Sequence, residues 1–185
     1  ENVGKLITAI KETGLYEKTI IIYTSDHGES LYEHGLIEKH CFFEGAVGIP
    51  LIIYCPGLKV KEKTCSCLAS LVDIMPTLSE MSGFGKIEGI DGISLLDAMV
   101  TGVYPERHIY SEFYTHKPQR MILTDKWKYV YTIGASEQLY DLANDKEEMN
   151  NLAYDSEYDH IRAELREKVF EGWSALKDVH DMKQI

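Results

Sequence analysis

The sequence predicts an α/β fold to about residue 100, followed by a small antiparallel sheet and one closing helix. Two short runs of apolar and β-branched residues, TIIIY at 19–23 and IPLIIYCPG at 49–57, have the length and composition of strands covered on both faces, as in a parallel sheet flanked by helices. After residue 102 the segments become aromatic and partly alternating, which is typical of an antiparallel meander with one solvated face. We therefore expect two domains, residues 1–102 and residues 103–185.

The helices of the first domain are predicted by apolar residues spaced three and four apart. The first helix ends before Gly14, which suits a left-handed cap. The second has Asp73 as its expected N-cap, accommodates Pro76 in its first turn and stops at Gly83. A third, shorter helix starts with Ser94 as its cap. The apolar stripes are Val3, Leu6, Ile7 and Ile10 in the first helix, and Leu71, Ile74, Met75, Leu78 and Met81 in the second.

The second domain is predicted to contain three strands, in RHIYSEF, QRMILT and KWKYVYT, with the tightest turn at Asp125. The next segment, EQLYDLANDKEEMNNLA, is acidic and rich in turn-forming residues. Helical spacing then predicts a closing helix that contains Ile161, Leu165, Val169, Trp173 and Leu176.

Charge and composition exclude several classes of partner. The chain has 19 Lys and Arg residues against 30 Asp and Glu residues, a net charge of −11, which disfavours nucleic acids and anionic membrane surfaces. Its four cysteines are too few and too irregularly spaced for a disulfide framework, so we expect thiols. No apolar run approaches the length of a membrane span.

A polar cluster follows the first predicted strand. Asp26 and His27 come where the chain leaves the sheet, and Gly28 allows a sharp turn there. A plain strand-terminal turn explains a bare Asp-His-Gly sequence. The alternative is a metal site, since a carboxylate and an imidazole both bind divalent cations.

Further polar residues follow between the two strands. His34 and His40, with Cys41, follow His27 at spacings of seven and six residues, which fit no zinc template. His34 is expected to shape the turn, and His40 to contact substrate or to support a residue that does. Lys39 is either a solvated lysine or a clamp for a tetrahedral oxyanion in an acidic protein. A predicted loop of the second domain contains His116, Lys117 and Arg120 and could reach the substrate pocket, but we interpret the three as solvated turn residues.

The segment TIIIYTSDHGESLYEHGLIEKHCFFEGAVGIPLIIYCPG resembles the sulfatase family of the alkaline phosphatase superfamily. It has that family's strand ending in Asp-His-Gly, then its lysine, its aromatic–Glu pair and its Pro-Leu-Ile strand. The likeness continues through SLVDIMPTLSEMSG, GISLL and EQLYDLANDKEEMNNLA, and so extends from residue 1 to about residue 175.

The resemblance implies a sulfatase-like mixed sheet flanked by helices. Residues 1–102 would be the C-terminal part of its catalytic domain and residues 103–185 its small α+β subdomain. Asp26 and His27 would ligate a divalent cation, with calcium favoured and magnesium or manganese as alternatives. Lys39 would be a catalytic residue that contacts the sulfate, and His40 would also bind substrate.

The family's nucleophile is not in this sequence. Sulfatases use formylglycine, made from the first residue of Cys/Ser-x-Pro/Ala-x-Arg, whereas Cys55-Pro56-Gly57 lacks the arginine. Gly48 also stands where the family often has arginine. We therefore expect the nucleophile in a missing N-terminal half of the same protein, and expect the chain alone to be inactive.

The expected partners are that N-terminal half and a sulfated small molecule or sugar. The isolated chain is also expected to dimerise. The compartment is left open between cytoplasmic and periplasmic or secreted.

Two other functions stay open. One is a phosphodiesterase or phosphonate monoester hydrolase of the same superfamily, and the other is a non-catalytic binding module.

Overall fold

The computed structural model describes residues 1–114 and 118–171, which form two compact units. Unit 1 comprises residues 1–26 and 49–105, and unit 2 comprises residues 27–48 and the described residues from 106 onwards. The helices are α1 (Asn2–Glu12), α2 (Glu44–Val47), α3 (Ile74–Met81), α4 (Leu96–Thr101) and α5 (Asp159–Glu171). The strands are β1 (Ile21–Thr24), β2 (Leu51–Tyr54), β3 (Ile109–Phe113), β4 (Gln119–Leu123), β5 (Trp127–Thr132) and β6 (Gln138–Asp141). In the described ranges, no helix is long and apolar enough to cross a bilayer. The predicted boundary at residue 102 stays a prediction.

Helix α1 ends as the sequence predicts. Gly14 has a left-handed φ of 69°, and its N–H donates to the carbonyl of Lys11 at 3.0 Å. The N–H of Leu15 donates to the carbonyl of Ile10 at 3.1 Å. These two bonds form a Schellman motif, in which the residue after the helix must adopt positive φ.

Strands β1 and β2 form where expected, but they pair antiparallel rather than parallel, in the register Ile21↔Tyr54 to Thr24↔Leu51. They are also not covered on both faces. Tyr23 and Ile52 lie opposite each other and are 45% and 62% exposed. Because cross-strand partners share one face of a sheet, one face of this pair stays open, and the prediction of double burial is wrong.

Buried polar groups fix the start of helix α3. Asp73 occupies the predicted N-cap, but its fully buried carboxylate accepts from the N–H of Ser70 at 2.7 Å and from the N–H of Ile93 at 2.9 Å. The buried Thr77 hydroxyl donates to the Asp73 carbonyl at 2.6 Å and accepts from the N–H of Leu95 at 2.9 Å. These bonds connect α3 to the segment that leads into α4.

Unit 2 contains the predicted meander, a sheet of order β3-β4-β5-β6 in which all neighbours are antiparallel. Helix α5 packs on it through Leu165 and Val169, as expected, whereas Trp173 and Leu176 lie outside the described residues. The core also contains Ile122, Tyr129, Leu139 and Ala153. The fold class predicted from the sequence is confirmed.

Three features of this sheet differ from the prediction. The expected solvated face is wrong for β4 and β5, because consecutive residues, 120–122 and 128–130, are buried. Strand β6 lies inside the segment interpreted as turns, and Asp145 closes the turn after it. Asp145 accepts from the N–H groups of Asn150 at 2.8 Å and Met149 at 3.1 Å. These bonds, of which the one from Asn150 has the larger effect, lower the pKa of the Asp145 carboxyl.

Arg120 is not a solvated turn residue, because it lies in β4, is 2% exposed and pairs with Glu112 at 3.2 Å. His116 and Lys117 lie outside the described residues.

Candidate active site

The two predicted metal ligands directly follow strand β1. Asp26 is exposed, and its Oδ1 accepts from the Ser25 hydroxyl at 3.3 Å. His27 is half-buried, and its Nδ1 lies 2.7 Å from the carbonyl oxygen of Gly28. Asp26 is the last residue of the first segment of unit 1, and His27 is the first residue of unit 2.

Gly28 determines the path of the chain after His27. Its N–H donates to the carbonyl of Ala46 at 2.8 Å. A Cβ at this position would overlap the carbonyl oxygen of Gly45 and lie 3.4 Å from that of Ala46. Because both obstacles are backbone atoms, the close approach requires glycine, and it holds the turn of His27 against helix α2.

The loop between this turn and helix α2 has an unusual backbone. Leu31, Tyr32, His34 and Glu38 have φ values of 47°, 74°, 53° and 74°, in the left-handed region that non-glycine residues rarely occupy. The N–H of Ser30 donates to the carbonyl of Glu38 at 2.9 Å and closes the loop. Strained backbone of this kind clusters at functional sites, where the surrounding structure maintains it.

The predicted substrate residues lie at the end of this loop. Lys39 and His40 are both exposed, and they share unit 2 with His27. The His40 ring stacks on Phe113 with centroids 5.2 Å apart, and its Nδ1 lies 3.4 Å from a carboxylate oxygen of Glu38. An exposed lysine beside an anchored imidazole can contact an anion.

A ring stack attaches the middle of the loop to helix α2. The His34 and Phe43 rings lie parallel within 7°, with centroids 3.7 Å apart. His34 therefore shapes the turn, as expected, and also packs on the aromatic residue that precedes Glu44.

A buried ion pair, which the sequence did not reveal, fixes helix α2. The Lys128 ammonium is fully buried and lies 2.6 Å from the Glu148 carboxylate, which is 1% exposed. The same ammonium lies 3.3 Å from Glu44, whose side chain is 60% exposed. Glu148 also accepts from the backbone N–H of Glu44 at 2.6 Å. These three side chains, here called the Lys128 anchor, connect strand β5 to the loop of Lys39.

Asp26 and His27 together have the donor types of part of a cation site. A carboxylate and an imidazole are two suitable donors for a divalent cation, but calcium takes six to eight oxygen ligands. Over residues 1–114 and 118–171, no group of three or more His, Cys, Asp or Glu side chains could hold an ion. Any cation bound by Asp26 and His27 therefore needs additional ligands from elsewhere.

Comparison with known proteins agrees with the motifs. Residues 1–84 match the family model described as Sulfatase. Arylsulfatase K of Bos taurus is 34% identical over 181 residues, which cover 90% of this chain and 33% of that protein. Choline-sulfatase of Rhizobium meliloti is 38% identical over 159 residues, which cover 83% of this chain and 30% of that protein. The chain thus spans about a third of the length of these curated relatives.

Solved structures give the same result. BT4656, solved in complex with its substrate D-glucosamine-2-N,6-O-disulfate, is 28% identical with a TM-score of 0.87, covering 100% of this chain and 40% of that one. Phosphonate monoester hydrolase of Agrobacterium radiobacter is 30% identical with a TM-score of 0.79, covering 91% and 37%. The resemblance seen in the sequence is confirmed. The chain belongs to the sulfatase family, in the alkaline phosphatase superfamily.

Proposed function

We propose that the whole protein hydrolyses sulfuric esters, and that this chain supplies two ligands of its divalent cation and two contacts to the substrate. The observation that supports this most directly is the turn at Gly28, where close backbone packing against helix α2 holds His27, the residue that follows Asp26 in the chain. The relatives named as sulfatases support the reaction class.

In this proposal, Asp26 and His27 hold the cation, with calcium favoured over magnesium or manganese. If the Nδ1–H of His27 donates to the Gly28 carbonyl, the lone pair for a metal is on Nε2. A cation bound there would act as a Lewis acid towards the sulfuryl oxygens. The formylglycine nucleophile is assigned to a part of the protein outside this chain.

Lys39 is proposed to bind the sulfate group through its ammonium and to stabilise negative charge in the transition state. His40 is proposed to contact the same substrate, with its ring oriented by the stack on Phe113. The substrate class is a sulfated small molecule or sugar. Choline-sulfatase and the sulfated glucosamine bound by BT4656 are the precedents.

Turnover by the complete protein tests the role of Lys39. An aryl sulfate and D-glucosamine-2-N,6-O-disulfate are suitable substrates. We expect Lys39→Ala to reduce kcat/KM by roughly 100-fold or more, the scale of losing one charge-stabilising group. Lys86→Ala, which removes another exposed loop lysine, should leave kcat/KM unchanged. Equal activity in the two variants would refute the role of Lys39.

Metal content tests the ligand assignment independently of turnover. The complete protein, purified and dialysed, is analysed for bound calcium, magnesium and manganese by mass spectrometry. Asp26→Ala and His27→Ala should each lose metal, while Asp91→Ala, which removes another exposed carboxylate, should retain it. Full metal occupancy in both site variants would refute the assignment.

A phosphonate monoester hydrolase is the second candidate, because the Agrobacterium radiobacter enzyme is 30% identical over 91% of the chain. The ratio of kcat/KM for a sulfate ester to that for a phosphonate monoester separates the two activities. If neither ester is hydrolysed while metal is retained, the third alternative, a non-catalytic binding module, is favoured.

A further inference from the structure

Two cysteines of unit 1 lie unusually close together. Cys65 and Cys67 belong to the loop between strand β2 and helix α3, and their sulfur atoms are 2.6 Å apart. The backbone N–H of Cys67 donates to the sulfur of Cys65 at 3.2 Å. All four cysteines of the chain are thiols in the structure. The distance exceeds a disulfide bond of about 2.05 Å, yet little movement is needed to form one.

The surroundings make the Cys65 sulfur accessible. Both cysteines line a cavity of about 640 Å³ in unit 1, together with Lys63, Glu62 and Tyr104. A hydrogen bond with Cys65 raises the pKa of the Tyr104 phenol. Cys65 is exposed. The Cys65 sulfur is therefore accessible to a small-molecule disulfide, and the Cys67 sulfur lies within reach of it.

We propose that Cys65 and Cys67 are a redox site that forms a reversible intramolecular disulfide with a small-molecule disulfide, such as oxidised glutathione, as the oxidant. The Cys65 thiolate attacks one sulfur of the oxidant, which gives a mixed disulfide and releases one reduced thiol. Cys67, as its thiolate, then attacks the Cys65 sulfur and releases the second. The two protein thiols lose two electrons and two protons, and the oxidant gains them as two thiols.

A bridging zinc ion suits this geometry less well. Two thiolates on a tetrahedral zinc, each about 2.3 Å from the metal, are roughly 3.8 Å apart, whereas these sulfurs are 2.6 Å apart. The residues of the described ranges also provide no third ligand close enough to complete a site.

The sequence makes the test direct. Trypsin cleavage after Lys63 and Lys86 releases both cysteines in one peptide, residues 64–86, while Cys41 and Cys55 share another, residues 40–59. The full chain is equilibrated in glutathione buffers of increasing oxidised fraction, quenched with acid, alkylated, digested and analysed by mass spectrometry. We expect peptide 64–86 to lose two hydrogens and to escape alkylation at oxidised fractions where peptide 40–59 is still fully alkylated.

Two comparisons separate the effect of the fold from that of the Cys-x-Cys spacing. Because Cys-x-Cys spacing alone keeps the thiols near each other, the series is repeated in urea, and the folded chain should reach half-oxidation at an about tenfold lower ratio of oxidised to reduced glutathione. Cys65→Ser and Cys67→Ser should each accumulate a glutathione adduct at the remaining cysteine. Equal midpoints in the folded and unfolded chain, or two glutathione adducts on wild-type peptide 64–86, would overturn the proposal.

Discussion

Replacing Lys128 by methionine should destabilise unit 2 strongly, because it leaves Glu148 buried without its counter-ion. The free energy depends on how each partner is solvated. Glu148 is 1% exposed at 2.6 Å from the ammonium, whereas Glu44 is 60% exposed at 3.3 Å. Breaking a buried pair by removing one partner costs roughly 3–5 kcal/mol, while a solvated pair contributes at most about 1 kcal/mol. We therefore expect Lys128→Met to lose about 4 kcal/mol, nearly all of it through Glu148.

The assay is urea denaturation followed by far-ultraviolet circular dichroism. Glu44→Gln, which removes only the solvated charge, should lose at most about 1 kcal/mol. In Lys128→Met/Glu148→Gln no buried charge is left unpaired, so the double variant should recover about 2 kcal/mol relative to the sum of the single changes. A loss below about 1 kcal/mol for Lys128→Met, or strict additivity in the double variant, would refute this reasoning.

Gly28→Ala should lose about 1–3 kcal/mol of unfolding free energy, because the added Cβ would meet backbone atoms. Gly4→Ala has open space around it in α1, so this variant should be neutral or gain up to about 1 kcal/mol. Similar urea midpoints for the two variants would contradict this prediction. Thr77→Val should lose about 1–3 kcal/mol of unfolding free energy, because it leaves a buried N–H without its acceptor. Thr101→Val should lose less than about 0.5 kcal/mol, because the equivalent bond there is exposed. The backbone donors that lower the pKa of Asp145 favour its charged form in the folded chain. The contribution of Asp145 to the free energy of unfolding is therefore complete above its unfolded pKa of about 3.8 and is lost as pH falls through the folded pKa. The stability difference between wild type and Asp145→Asn should shrink in acid. A difference that stays constant with pH would refute this prediction.

Local patterns predicted the features that depend on local interactions. The cap at Gly14, helix α3 and strands β3 to β5 each follow from neighbours within a few residues, and the structure has all of them. The direction of β1 against β2 could not be predicted in this way, since a short apolar run has the same composition in either pairing. Strand β6 was missed because its four residues lie in an acidic, turn-rich segment and are held by pairing with β5.

The residues that position the candidate site also depend on contacts that local patterns do not predict. Asp26, His27, Lys39 and His40 could be proposed from motif spacing, whereas the Lys128 anchor could not. Glu44 meets its partners 84 and 104 residues further along the chain, and a lysine in an alternating strand is usually solvated. Only the folded structure shows that this lysine is buried.

The Lys128 anchor also has a consequence for the order of events during synthesis. Glu44 is translated 104 residues before Glu148, a delay of roughly 5–20 s at ordinary elongation rates. Throughout that interval the loop with Lys39 lacks the groups that hold its helix, so its final conformation is completed only after translation of the C-terminal sheet.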